Sequence, residues 1–285
     1  MANNSNKVCH QLELWPSNLE GKVVLVTGAS SGLGWDFTIN LAKTGCKVIA
    51  AARRVDRLKS LCNLINRSST SNNPVAVPLE LDLTADPPVI EAALRKAWTA
   101  LGHIDVLINN AGFRGSRSSM FKLSNEDWNL AFKTNVEGAW LCSKFVGSLM
   151  RDAGIEGSII NISSVNGLNR GATTGTVAYS SSKAALQQLT TVMALEFAPY
   201  NIRVNAIAPL LFRSEITERL YQQKWLQRVS TKIVPLPFYY NATTDPSLTE
   251  FIRYLIQDSS KYLSGNIFIV DGGHTLAGVP IWSSL

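Results

Sequence analysis

Histidine and cysteine are scarce in this 285-residue chain, at three and four residues respectively. Cys9, Cys46, Cys62 and Cys142 stand far apart, with no Cys-x-x-Cys pair and no cluster of cysteine and histidine large enough to make a ligand set. That spacing argues against a metal site and fits reduced thiols in an intracellular compartment. Apolar runs of bilayer-spanning length are missing, and the start of the chain (Asn3, Asn4, Ser5, Asn6, Lys7) is polar where a signal peptide would be apolar. Long basic blocks are missing too, so the formal charge of +6 suits an anionic small ligand better than nucleic acid. No repeat of solenoid period and no linker divides the chain. With 46% hydrophobic and 17% charged residues it can bury a sizeable core and is no disordered polymer. The expectation is a soluble cytoplasmic protein without nucleic-acid or membrane partners. Its C-terminal Ser283-Ser284-Leu285 offers a degenerate peroxisomal address as the minor alternative.

What the chain does contain is a regular alternation of strand-like and helix-like segments. Residues 22–27 are a β-branched run that enters Gly28-Ala29-Ser30-Ser31-Gly32-Leu33-Gly34 and then a helical pattern through Phe37, Leu41 and Ala42. A glycine-rich turn between strand and helix leaves N–H groups free at a helix N-terminus, where pyrophosphate binds. Here Gly28 permits the tight turn, Gly32 the approach of the phosphates and Gly34 close helix–strand packing. Residues 47–52 form a second strand ending in Arg53-Arg54. Dinucleotide folds read the adenosine ribose at this place, with an acid for NAD or an arginine for NADP. Ala52 stands where the acid would be and Arg53 follows, so NADP(H) is the expected cofactor. A third strand at 75–81 ends at Asp82, beside the adenine. Pro87 and Pro88 open a helix through Trp98. A strand at 105–108 leads into Asn109-Asn110-Ala111-Gly112, whose small residues let backbone lie against a cofactor. Further helices are expected at 125–151 and 248–257, and further strands at 158–164, 202–208 and 266–270. Residues 1–18 read as an arm and 19–285 as one domain. Residues 212–245 break the rhythm and carry Phe212, Tyr221, Trp225, Phe238, Tyr239 and Tyr240, which suggests a lid over an apolar substrate.

The chemistry converges on residues 164–183. Tyr179 and Lys183 are four apart at the start of a helical pattern, so they share a face about 5–6 Å apart at Cβ. A cation there favours the phenolate and turns tyrosine into a usable acid or base. Ser164 ends an apolar strand and supplies a second hydroxyl. A hydroxyl and an acidified phenol are what a carbonyl oxygen needs while it takes up hydride. Asn135 is an amide among Phe132, Val136, Ala139 and Leu141, either a satisfied core group or part of the site.

In order and spacing, Thr27-Gly-Ala-Ser-Ser-Gly-Leu-Gly34, Asp82, Asn109-Asn-Ala-Gly112, Asn135, Ser164, Tyr179 and Lys183 resemble the short-chain dehydrogenase/reductase family over nearly the whole chain. Within it the chain is similar to plant NADPH-dependent aldehyde reductases and 3-oxoacyl-acyl-carrier-protein reductase-like enzymes. The resemblance implies an α/β fold, a Rossmann-type doubly wound seven-stranded parallel sheet, assembled as a homodimer or homotetramer. It implies Tyr179 as general acid/base, Ser164 polarising the carbonyl and Lys183 on the nicotinamide ribose, acidifying Tyr179. Asn135 would hold a relay water, and hydride would leave the pro-S face. Ser163 is the rival to Ser164, and family spacing implies the second serine. Cofactor contacts are implied for Thr27, Gly28, Ser30, Ser31, Gly32, Leu33 and Gly34, and for Arg53, Arg54, Asp82 and Leu83. Asn109, Ala111, Gly112, Tyr179, Lys183, Pro209, Leu211, Phe212 and Ser214 complete that set. Substrate contacts are expected from Phe113, Arg114, Asn166, Arg170 and Leu210, and from Tyr221, Trp225, Phe238 and Tyr239. Two departures from the family stand out. Leu210 replaces the glycine that follows Pro209, and is expected to face the lid aromatics. Phe238-Tyr239-Tyr240 replaces an arginine and a glycine. The function expected is NADPH-dependent interconversion of a carbonyl and an alcohol on an apolar small molecule. The alternatives are 3-oxoacyl-carrier reduction and a cofactor-binding protein without redox chemistry.

Overall fold

Apolar runs without alternation belong to parallel strands buried on both faces, and seven of them form a single sheet in this computed structural model, which describes residues 19–69, 71, 73–236 and 248–276. In chain order the strands are β1 (Val23–Thr27), β2 (Lys47–Ala52), β3 (Ala76–Glu80), β4 (Val106–Asn109), β5 (Ser158–Ile162), β6 (Arg203–Pro209) and β7 (Ile267–Val270). Their order across the sheet is β3-β2-β1-β4-β5-β6-β7, all parallel. The sequence expectation of a doubly wound seven-stranded sheet holds. Strand ends differ by one or two residues, as they do wherever pairing frays.

The helices are α1 (Gly32–Lys43), α2 (Val55–Ser68), α3 (Pro87–Leu101), α4 (Asn125–Phe132), α5 (Gly138–Asp152), α6 (Val177–Phe197), α7 (Glu218–Tyr221), α8 (Lys224–Ile233) and α9 (Thr249–Ile256). Because successive strand residues point to opposite faces, the sheet builds two cores. Val24, Val26, Val48, Ala50 and Ile108 pack with Phe37 and Leu41 of α1, Leu58 and Leu61 of α2, and Ile252 and Leu255 of α9. Val23, Leu25, Ile49, Leu107 and Ile159 pack with Ile90 and Leu94 of α3, Val146 and Met150 of α5, and Met193 of α6. Local chemistry sets several boundaries. Pro87 and Pro88 suit the first turn of α3, where N–H groups lack partners anyway, and Gly102 closes it at φ 88°. The Ser124 hydroxyl accepts the Asp127 N–H to cap α4 at 3.0 Å.

The segment expected as one helix over 125–151 carries an irregularity that no spacing reveals. Between α4 and α5, residues Lys133–Glu137 wind as a π-turn with Asn135 in its middle, a feature that often accompanies functional sites. Beyond β6, α7 and α8 lie within the segment expected as a lid. The remaining lid residues Phe238, Tyr239 and Tyr240 lie outside the described residues, as do the N-terminal arm and Ser283–Leu285. Cys46, Cys62 and Cys142 are buried and unpaired, and burial pushes the last two thiols up to about 12. No helix among the described residues is long and apolar enough to cross a membrane.

Candidate active site

All strands run the same way, so their carboxyl ends share one edge, and the crevice opens where β1 is flanked by β2 on one side and β4 on the other. A cavity of about 420 Å³ lies there. Thr27, Gly28, Ser30, Ser31, Gly32 and Leu33 line it from the first turn, and Arg53, Arg54, Asp82 and Leu83 from the next two strands. Ala111, Gly112, Ser164, Tyr179, Lys183, Pro209, Leu210, Phe212 and Ser214 complete the lining that was legible in the sequence.

The glycine turn is built against the β4 loop. Gly28 has φ +69°, and a Cβ on it would lie 2.7 Å from the Ala111 Cα. Gly34 stands behind the cavity wall, where a Cβ would meet the Asn110 Nδ2 at 2.4 Å and the Gly28 carbonyl at 2.5 Å. Asn110 Nδ2 donates to the Thr27 carbonyl at 2.9 Å, while the Thr27 hydroxyl accepts the N–H groups of Asn110 and Ala111 at 3.0 and 3.1 Å. The two loops are therefore one rigid unit.

Three observations fit this unit to a dinucleotide. The first turn of α1 has no side-chain cap, so its N–H groups remain available to an anion. Gly112 is the second: a Cβ there would make only ordinary contacts, 3.5 Å from Asn135 Oδ1 and 3.6 Å from Lys183 Nζ. The fold alone thus does not demand glycine, and the space fits a ligand lying against the backbone. Third, Arg53 forms no ion pair among the described residues, and its charge helps to hold Asp82 ionised. Burial pushes the Asp82 carboxyl up, but the two hydrogen bonds from Thr84 and the Arg53 guanidinium outweigh it, and the net shift is downward.

At the other end of the cavity β5 and α6 meet. Lys183 is 3% exposed and donates from Nζ to the Ile162 carbonyl at 2.7 Å. Burial pulls its ammonium down to about 8. The two serines divide their work. Ser163 donates to the Lys183 carbonyl at 3.0 Å and accepts from Gln187 Nε2 at 3.0 Å, pinning α6 to β5. The Ser164 hydroxyl accepts the Asn166 N–H at 3.1 Å, lies 3.4 Å from Asn166 Oδ1, and is near enough to the Tyr179 phenol to favour its ionised form. Spacing predicted a phenol acidified by Lys183, and the geometry gives the opposite net direction. Burial pushes Tyr179 up, and neither the Ser164 hydroxyl nor the charge of Arg114 cancels it. The reason is visible in Lys183, whose Nζ turns to the Ile162 carbonyl and stands 5.8 Å from the centre of the Tyr179 ring.

Asn135 is 1% exposed, and its amide is fully engaged. Oδ1 accepts the Phe113 N–H at 2.7 Å, while Nδ2 donates to the Phe113 carbonyl at 2.8 Å and to the Ser182 hydroxyl at 2.9 Å. The side chain therefore fixes the loop that carries Gly112 and Arg114.

Comparison with known proteins bears on this geometry. Residues 22–225 match the profile of the family described as short chain dehydrogenase. This chain belongs to that family. Its members are oxidoreductases of alcohols and carbonyls that bind NAD(P). The chain is 33% identical over 258 residues to the 3-oxoacyl-acyl-carrier-protein reductase of Thermotoga maritima, covering 90% of this chain and 98% of that one. It is 31% identical over 263 residues to a tropinone reductase homolog of Arabidopsis thaliana, covering 92% and 95%. A gluconate 5-dehydrogenase of Burkholderia cenocepacia, solved with NADP and tartrate, superposes with a TM-score of 0.84 at 26% identity, covering 92% of this chain and 98% of that one. A 3-ketoacyl-acyl-carrier-protein reductase of Brucella melitensis, solved with NADH, gives 0.80 at 25% identity, covering 91% and 100%.

Several short-chain dehydrogenase positions singled out in the sequence lie elsewhere than the cavity. Asn109 is buried beneath it, donating to Asn161 and Ser143 at 2.8 and 2.9 Å, because its side chain falls on the core face of β4. Tyr221 is 3% exposed and donates to the Leu211 carbonyl at 3.2 Å, so it props its own segment. Trp225 is 43% exposed on α8, and Asn166 and Arg170 lie on the loop leading to α6. Leu211 and Phe113 border the cavity without lining it, and Arg114 sits close enough to bias Tyr179. Ile162, Thr134, Thr84 and Glu215 line the cavity unforeseen. Of these only Thr84 had a signal, the Asp-x-Thr pattern in which the hydroxyl and N–H turn back on Asp82.

Leu210 was expected to face the lid aromatics, of which Phe238, Tyr239 and Tyr240 lie outside the described residues. Leu210 lines the cavity between Pro209 and Phe212, its N–H paired with the Val270 carbonyl at 3.0 Å, and it belongs to neither core. The strand pairing holds the backbone in place, and the side chain takes up cavity space that a glycine would leave open. Leu210→Gly should therefore enlarge the cavity, broaden the ketones accepted, and cost only about 0.5–1 kcal/mol through the freer backbone. A melting curve and a substrate panel check this, and a loss on the scale of a core truncation, about 2–5 kcal/mol, would place Leu210 in a packed interior instead.

Proposed function

We propose that this chain is an NADPH-dependent oxidoreductase that interconverts a ketone or aldehyde with an alcohol on a largely apolar small molecule. The observation that carries this reading is the meeting, in one cavity, of the Ser164 and Tyr179 hydroxyls and buried Lys183 with an uncapped helix N-terminus and Arg53, which forms no ion pair among the described residues. When bound, the nicotinamide cofactor supplies or accepts the hydride. Ser164 orients the substrate oxygen and polarises it by hydrogen bonding. Tyr179, kept protonated by burial, delivers its proton as negative charge develops on that oxygen. Lys183 offsets the charge then left on the phenolate, and Asn135 keeps Gly112 and Phe113 in register with both.

The preference for NADP(H) rests on Arg53 at the end of β2, with Ala52 where a ribose-reading acid would stand. Removing its side chain should weaken NADPH by roughly 1.5–3 kcal/mol, the worth of a charged hydrogen bond, and leave NADH little changed. Calorimetric titration of Arg53→Ala checks this, and equal losses for both cofactors would make Arg53 a support of the fold.

The domain reading extends to a substrate lid formed by the segment from residue 212 to 245. A homodimer or homotetramer is supported by apolar side chains left exposed on neighbouring helices, Trp140 on α5 and Val192 and Leu195 on α6. A cytosolic location completes the proposal. The second reading, reduction of a 3-oxoacyl chain on a carrier protein, is favoured by likeness to the Thermotoga and Brucella reductases. It uses the same Ser164 and Tyr179. Mixing the protein and NADPH with ketones, aldehydes and a 3-oxoacyl thioester, and following the absorbance of the reduced nicotinamide, tests both readings together. Oxidation confined to the thioester would decide for the second.

A further inference from the structure

The loop after β6 crosses back over the glycine turn. Ser214 lies so close that a Cβ on Gly32 would stand 3.0 Å from its own Cβ. The next residue, Glu215, reaches the basic end of β2. Its carboxylate accepts two bonds from Arg54, at 3.1 and 2.9 Å, and one from Arg57 at 3.3 Å. The Ser31 hydroxyl, itself held by Arg54 at 2.6 Å, stands near enough to the same carboxylate to favour its ionised form. Two parallel N–H···O bonds from one guanidinium are the geometry that arginine offers a phosphate as readily as a carboxylate. Glu215 therefore sits in an anion site made by residues of two other segments. That site lies where dinucleotide folds read the adenosine ribose.

We propose that Glu215 is an internal stand-in for the 2′-phosphate of NADP(H), a residue that limits affinity for the phosphorylated cofactor and exchanges with it on Arg54 and Arg57. The inference rests on the NADP(H) reading above. Arg53, which makes no ion pair among the described residues, is open to the arriving phosphate. Arg54 and Arg57 are already satisfied, and a second anion cannot join them without repelling the carboxylate. The pairs are half-exposed, with side-chain exposures of 43%, 52% and 50% for Arg54, Arg57 and Glu215, so water screens them and they exchange readily. Glu215 lies three residues before α7, so the exchange also loosens the tie between the glycine turn and the segment carrying α7 and α8. A cofactor without the 2′-phosphate leaves that tie in place.

Adenosine 2′,5′-bisphosphate and 5′-AMP differ only in the phosphate at issue, and NADP and NAD repeat the contrast in the whole cofactor. Titrating all four into wild type and Glu215→Gln by calorimetry, with melting curves to show that both are folded, tests the proposal. Glutamine keeps the shape and removes the charge. The 2′-phosphorylated ligands should bind Glu215→Gln about three- to tenfold more tightly, the scale of a lost half-exposed ion pair plus relieved repulsion, and the others within about twofold of wild type. Glu215→Ala should behave alike. Unchanged or weaker binding of the 2′-phosphorylated pair would overturn the exchange, and so would an equal gain for all four, which would place the competition at the adenosine 5′-phosphate they share. A wild type that prefers NAD would overturn the NADP(H) reading itself, whatever Glu215 does.

Discussion

Tyr179→Phe should melt within about 1 °C of wild type or higher and bind NADPH unchanged, yet lose on the order of 10²–10⁴ in turnover, the range of a single acid–base group. The substitution removes one oxygen. The ring keeps its place at the start of α6, and the aromatic face 5.8 Å from Lys183 Nζ is retained. The Ser164 hydroxyl loses a polar neighbour and keeps the Asn166 N–H at 3.1 Å. Because burial holds the phenol above its ordinary range, the wild-type side chain is protonated at neutral pH and suits the reduction direction. In the reverse direction the same phenol must first give up its proton, so oxidation of the alcohol should gain with rising pH. Steady-state kinetics in both directions, with a binding titration alongside, check the assignment. A variant with wild-type turnover would transfer the proton to another group.

Lys183→Met should lose roughly 10²-fold or more in turnover, because nothing then offsets the phenolate charge. It should also change how stability depends on pH. In the native state burial holds Lys183 near 8, against 10.5 when solvated. Between these values the unfolded chain binds more protons than the native one, so wild-type stability rises with pH across that window and the burial penalty is fully present below about 8. Methionine removes both the charge and the dependence. The variant also leaves the Ile162 carbonyl without its donor, a pH-independent loss of about 1–3 kcal/mol. Its stability relative to wild type should therefore fall by roughly 3 kcal/mol between pH 7 and pH 10.5. Denaturant unfolding at several pH values measures this difference, and parallel curves for the two proteins would show that Lys183 is not titrating in a buried place.

The sheet was legible because its strands are apolar on both faces, and runs such as Val23–Thr27 and Ser158–Ile162 admit little else. Gly28 and Gly34 were legible because their backbones leave no room for a Cβ. Tyr179 and Lys183 declared themselves by helical spacing. What the sequence withheld depended on distance along the chain or on local winding. Glu215 meets Arg54 across 161 positions, and no pattern in either segment points to the other. The π-turn around Asn135 has no residue signature. The net direction at Tyr179 is a contest between burial and charge that spacing cannot decide. Asn109 was read as cofactor-facing because it belongs to the Asn-Asn-Ala-Gly run, yet strand alternation gives its side chain to the core and turns Asn110 toward the glycine turn.

The central claim is that a hydride passes directly between NADP(H) and a carbonyl carbon held against Ser164 and Tyr179. It is tested most directly by NADPH deuterated on the pro-S side of the nicotinamide, used with the carbonyl compound from the panel that is turned over fastest. The account predicts deuterium on the carbinol carbon of the alcohol formed, and none in the recovered oxidised cofactor. Deuterium retained in the oxidised cofactor would contradict the face assigned to the transfer. A product labelled only when the solvent is deuterated would contradict hydride transfer itself.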